Sequence, residues 1–180
     1  AYDEKREEFD EIFEEGVETV IRQTEILRRI ASEFSSFGKA AQLHPEPVEI
    51  GGFVSEILSG YKGAGNVEIS FRPEGRAVAF ADREALRKIF VNLIENAIDA
   101  MQSGGLIVVG CGREGETVWI SVADSGTGLP PEVEERLFEP YFSTKTTGTG
   151  LGLAISQSLA GEMEGSITLR NREDGHGVKA

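Results

Sequence analysis

Hydrophobic positions in this chain follow two periods, and the places where the period changes mark its elements. Phe13, Val17, Val20, Thr24, Leu27, Ala31 and Phe34 recur at alternating intervals of four and three, a heptad seam that predicts one long helix to about residue 40. Such a stripe needs partner helices from a bundle or a second chain, because a lone helix has nothing to cover it. The prolines of His44-Pro-Glu-Pro47 interrupt the pattern and predict a linker over 41–47. Beyond it the patterns predict helix 48–62, strands 67–72 and 77–81, helix 83–102 capped by Asp82, and strands 105–112 and 117–124. A long lid, helix 150–161 and strands 165–171 and 176–180 complete the order. The fold class this predicts is a two-layer α/β sandwich, a mixed sheet covered by helices on one face, preceded by the long helix.

Candidate chemistry is concentrated in four blocks of the second half. Asn92 and Asn96 lie four apart in an apolar helical run (Leu86, Ile89, Phe90, Leu93, Ile94), so both amides leave one helix face. A carboxamide oxygen is a hard, neutral ligand of the kind Mg²⁺ accepts beside water and phosphate oxygens; a backbone-satisfied amide is the other reading. Asp124 stands at the tip of an alternating strand, followed by Gly126 and Gly128, which let a flat ring and phosphates approach the backbone. An acceptor-only carboxylate there suits an exocyclic amine such as adenine N6, although the same residues also make a good turn. Gly148, Gly150 and Gly152, interleaved with Thr149, Leu151 and Leu153, run straight into a helix. A glycine-rich helix N-terminus offers N–H groups and a positive dipole end to an anion, with Lys145 as a mobile point charge; a flexible hinge is the alternative. Between Asp124 and Gly148, Pro130, Pro131, a short helical stretch at 132–137 and the aromatics Phe138, Tyr141 and Phe142 predict a lid rather than a plain loop.

Each block alone suits a structural role, but the set in this order does not. Asn92-Leu-Ile-Glu-Asn96-Ala97, Asp124-Ser-Gly126-Thr-Gly128, Phe138-Glu-Pro-Tyr-Phe142-Ser-Thr144-Lys145 and Gly148-Thr-Gly150-Leu-Gly152-Leu153 resemble the N, G1, F and G2 boxes of the gyrase, chaperone, histidine-kinase and MutL superfamily. The chain most resembles sensor histidine kinases of two-component systems, notably the nitrogen-regulation type, from about residue 8 to 178. The resemblance implies the Bergerat-type ATP fold, ATP with Mg²⁺ on Asn96, adenine on Asp124, and phosphates bordered by the glycines of the last block. It further implies that 1–40 is the second helix of a dimerisation and phosphoacceptor hairpin, 41–47 a linker and 48–180 the ATP-binding catalytic domain. The implied partners are the hairpin helix carrying the phosphoacceptor His, a response-regulator receiver domain and, in the parent protein, a second copy forming a homodimer.

Asn92 separates branches of that superfamily. Where gyrase-like and MutL-like ATPases have a water-activating Glu, this chain has an amide, which takes up no proton near neutral pH. Slow hydrolysis is therefore expected, and Asn92 and Lys145 are the candidate catalytic positions. Glu95, three residues on, keeps an ATP-hydrolysing conformational switch as one rival; a non-catalytic nucleotide-dependent interaction module is another. Asp99 departs from the pattern, since many sensor kinases carry a basic residue around there. The only histidines, His44 and His176, lack the context of a phosphoacceptor box, so no phosphoacceptor is expected within these residues. The chain begins at Ala1 and ends at Ala180 before an expected final strand, which predicts a fragment of a longer protein.

Charge and cysteine content narrow the partners. The 180 residues carry a net charge of −13, which argues against nucleic acid or an anionic membrane surface. Nine acids against two bases in residues 1–18 form a solvated helix face or a surface for a basic partner. A single cysteine, Cys111, excludes an internal disulfide and fits a reducing, cytoplasmic compartment. No stretch approaches eighteen apolar residues, so no membrane span or signal peptide is expected here, although the parent is free to carry an anchor upstream.

Overall fold

The computed structural model describes residues 42–61, 66–145, 148–173 and 177–180, together with scattered positions from 13 to 28. Those scattered positions are helical, and Phe13, Val20 and Leu27 of the seam are exposed. Ala31 and Phe34 lie outside the described residues, as does the rest of the predicted helix to residue 40.

A strand begins inside the predicted linker. β1 (Glu46–Glu49) pairs antiparallel with β3 (Val78–Ala81), Val48 opposite Ala79 and Pro47 opposite Phe80. The predicted helix 48–62 therefore starts later, as α1 (Ile50–Ser59), and the Glu49 carboxylate caps it by accepting from Gly51 N and Gly52 N. Its buried residues Ile50, Phe53, Val54, Ile57 and Leu58 follow the helical period and enter the core.

The main sheet has the order β2-β4-β5-β7-β6. β2 (Val67–Glu74) runs parallel to β4 (Gly105–Glu114), and β5 (Thr117–Asp124) returns antiparallel to β4. Pro73 is tolerated because β2 is an edge strand, where its missing N–H interrupts no ladder. β6 (Arg170–Asn171) and β7 (Val178–Lys179) are much shorter than the predicted strands 165–171 and 176–180. The sheet is mixed and lies under helices α1 and α2 (Arg83–Asp99), as the two-layer prediction requires.

Asp82 caps α2, accepting from Ala85 N at 2.8 Å, and its other oxygen accepts from the backbone of His44 at 2.8 Å. That carboxylate ties the linker to the helix bearing Asn92 and Asn96. The main core joins Phe53 and Val54 of α1, Phe90 and Ile94 of α2, and Ile107, Val109, Cys111 and Val122 of the sheet. Cys111 is fully buried there, and burial pushes its thiol up. Helix α4 (Gly152–Glu162) packs on α2 through a smaller cluster of Ala85, Ile89, Leu159 and Ala160. Among its described residues the lid between β5 and α4 holds a single short helix, α3 (Pro131–Glu134), where the sequence predicts a helical stretch over 132–137.

Candidate functional site

α2, the tip of β5, the lid and the start of α4 enclose a cavity of about 550 Å³, a common size for a small-molecule site. Twelve of the sequence-predicted residues line it: Asn92, Asn96, Asp124, Gly128, Phe142, Thr144, Lys145, Gly148, Thr149, Gly150, Gly152 and Leu153. Gly126, Phe138 and Leu151 do not. Gly126 instead donates its N–H to Asp124 Oδ1, Leu151 is buried as the residue preceding α4, and Phe138 is half-buried away from the cavity wall.

The two asparagines do face one way. Asn92 Nδ2 donates to Ser156 Oγ on α4 at 3.0 Å, and Asn96 Nδ2 points to Asn92 Oδ1 at 3.5 Å. Gly152 suits this contact, because a Cβ built there would meet the Asn92 amide oxygen and force that side chain to shift. Gly150 has φ +68°, and a Cβ on it would lie 2.7 Å from Phe142 N, so the lid turn presses directly on the loop before α4. The Tyr141 N–H closes that contact by donating to Gly150 O at 3.0 Å. The N-cap residue Leu151 makes no side-chain cap bond, and Gly152 and Leu153 at the start of α4 line the cavity.

At the other end Asp124 is 5% exposed, and its Oδ1 accepts from Gly126 N at 2.8 Å and Val178 N at 3.2 Å. Two backbone donors thus fix the carboxylate. Val122, Leu129, Leu169 and Val178 add apolar wall to the cavity. Sequence reasoning missed these four, although Val122 was legible from the period-two pattern two residues before Asp124. It also missed Asn171, whose carboxamide accepts from Leu129 N at 2.7 Å and donates to Leu129 O at 2.8 Å. Arg172 adds a bond from Nη1 to the Asp124 carbonyl at 3.0 Å. The end of β6 and the residue after it therefore hold both Asp124 and the lid residue Leu129.

The lid aromatics divide their work. Phe142 lines the cavity with the Arg136 guanidinium 4.2 Å above its ring, whereas Tyr141 is exposed. Lys145 crosses from the lid to α2, donating to Asn96 Oδ1 and Asp99 Oδ2, each at 2.7 Å. Among the described lining residues, Glu95, Asp99 and Asp124 are acidic and Lys145 alone is basic. A polyphosphate in this cavity would need another cation. The oxygens gathered around the Lys145 ammonium are hard donors, so the residues present fit Mg²⁺.

Residues 81–179 match the family described as histidine kinase-, DNA gyrase B-, and HSP90-like ATPase. The chain belongs to this family. It is 36% identical to the nitrogen regulation protein NtrY of Azorhizobium caulinodans over 180 residues, covering 93% of this chain and 23% of NtrY. The chain thus spans less than a quarter of that relative. The catalytic domain of the histidine kinase ThkA superposes with a TM-score of 0.68 at 30% identity, over 76% of this chain and 92% of that one. ThkA in complex with the response regulator TrrA gives 0.75 at 25% identity, over 89% of this chain and 47% of that chain. Full-length ShkA in complex with AMPPNP gives 0.72 at 28% identity, over 89% of this chain and 36% of that one. Membership in this ATPase family gives the four blocks a common setting: they come together around one cavity between helices and lid. No helix among the described residues is long and apolar enough to cross a membrane.

Proposed function

We propose that this chain is the ATP-binding catalytic part of a sensor histidine kinase. It would transfer the γ-phosphoryl of ATP to a His on a hairpin helix, for relay to an Asp of a response regulator. The observation that carries this reading is Asn92: it stands at the cavity wall, bonded to Ser156, where a hydrolytic relative would need a general base. Asp124, with Oδ1 already held by two N–H groups, offers Oδ2 as acceptor to the adenine amine. The uncapped start of α4 and the Gly148–Gly152 loop offer backbone donors to the phosphates. Lys145 would bring a mobile positive charge to the transferring group, and Asn96 would hold Mg²⁺, which neutralises developing charge on the phosphate oxygens. Catalysis on this reading is positioning and charge stabilisation. The exposed seam of Phe13, Val20 and Leu27 supports assembly of the parent as a homodimer.

The test supplies this chain with Mg-ATP and a partner chain whose hairpin is complete but whose own nucleotide site is destroyed. Label should pass to the hairpin His, and the chain alone should release phosphate only slowly. Multiple-turnover hydrolysis abolished by Asn92→Ala would overturn the kinase reading in favour of an ATPase, and labelled phosphate on His44 or His176 would overturn the expectation that these residues hold no phosphoacceptor. Glu95 lines the cavity and is exposed, so Glu95→Gln is the control for a displaced general base.

A further inference from the structure

Lys145 lies 49 residues from Asn96 and 46 from Asp99 in sequence, yet its ammonium sits between Asn96 Oδ1 and Asp99 Oδ2. The two acceptors are three residues apart on one face of α2. An amide oxygen and a carboxylate oxygen around one positive charge form the donor set that a divalent cation takes. A second cation on that pair would compete with the ammonium, because like-charge repulsion at such a distance lowers what each gains there. With 40% and 57% of the Lys145 and Asp99 side chains exposed, the ion pair is weak enough to be exchanged.

We propose that Asp99 and Lys145 form an internal cation latch. Asn96 Oδ1 and Asp99 Oδ2 hold the ammonium here; the same oxygens would hold a divalent ion, and Lys145 would then be free to meet the phosphates. Asp99 is thus a positioning residue, acting through Lys145 and the metal. This explains why a carboxylate is tolerated beside a polyphosphate site, and it rests on the nucleotide reading above.

A double-mutant cycle on the whole chain tests it, with ATP affinity measured for the native protein, Asp99→Asn, Lys145→Met and both together, in EDTA and in saturating Mg²⁺. In EDTA the latched lysine contributes little to native binding. Lys145→Met should therefore cost about two- to fivefold more in the Asp99→Asn background than in the native one, the size of an exposed ion pair. In saturating Mg²⁺ the two costs should agree within about twofold. Equal costs in EDTA as well would mean that Asp99 merely repels phosphate, which overturns the latch. A coupling that persists unchanged in Mg²⁺ overturns the exchange. If no variant binds ATP in either condition, the nucleotide reading falls and the latch with it.

Discussion

Removing the Asn171 carboxamide should unfasten the entrance of the lid. Its oxygen accepts from Leu129 N at 2.7 Å and its NH₂ group donates to Leu129 O at 2.8 Å, so one side chain satisfies both backbone groups of a residue 42 positions away. An intramolecular hydrogen bond contributes about 0.5–1.5 kcal/mol net; because both of these are exposed, about 1–2 kcal/mol together is expected. That energy corresponds to a roughly 5- to 30-fold shift in the local opening equilibrium. Residue-resolved hydrogen exchange reads it directly, since the Leu129 amide is one of the bonded groups. In Asn171→Ala that amide should exchange roughly 5- to 30-fold faster while the β5 amides keep their protection. Asn171→Asp keeps the acceptor and loses the donor, so it should fall between the two. An unchanged Leu129 rate in Asn171→Ala would refute the clamp. Equal acceleration of β5 would show that the substitution had loosened the whole domain rather than the lid entrance.

Three further outcomes follow from the same geometry. Asp124→Asn can keep Oδ1 on Gly126 and Val178 while turning a donor toward the adenine amine, so ATP affinity by calorimetry should fall by about 1–3 kcal/mol; native affinity in the variant would remove Asp124 from the site. Gly152→Ala should lower the melting temperature, because overpacking against an Asn92 amide held by Ser156 costs about 1–3 kcal/mol, more than the gain of about 1 kcal/mol in helix propensity; an equal or higher melting temperature would contradict the close approach. Asp82→Ala should cost about 0.5–2 kcal/mol in urea unfolding at pH 7. The His44 and then the Ala85 backbone N–H hold the Asp82 carboxyl below its ordinary value of 3.8. This depressed folded value means the stabilisation is complete above 3.8 and fades as pH falls below it, so the native–variant gap should narrow there; a gap constant across that range would deny the carboxylate its role.

Local pattern carried much of this protein. The 3.6-residue period through Leu86, Ile89, Phe90 and Ile94, with Asp82 before it, specified α2 and its cap, and therefore that Asn92 and Asn96 share a face. Alternation in β5 delivered Asp124 to a strand tip, and glycine spacing marked the start of α4. These features are legible because they depend on neighbours within a turn or a pleat. Tertiary structure decided the rest. Glu46–Glu49 spans the end of a Pro-broken linker and the start of the predicted helix, and becomes a strand only because β3 supplies its ladder, while β6 and β7 shrink to two residues where their pairing stops. Leu151 looked like part of the phosphate loop, yet the core claims it. The bonds from Lys145 to Asn96 and Asp99, and from Asn171 to Leu129, join residues more than forty positions apart. No local period encodes such contacts, since they exist only once the sheet and helices have fixed the distance between lid, α2 and the terminal hairpin.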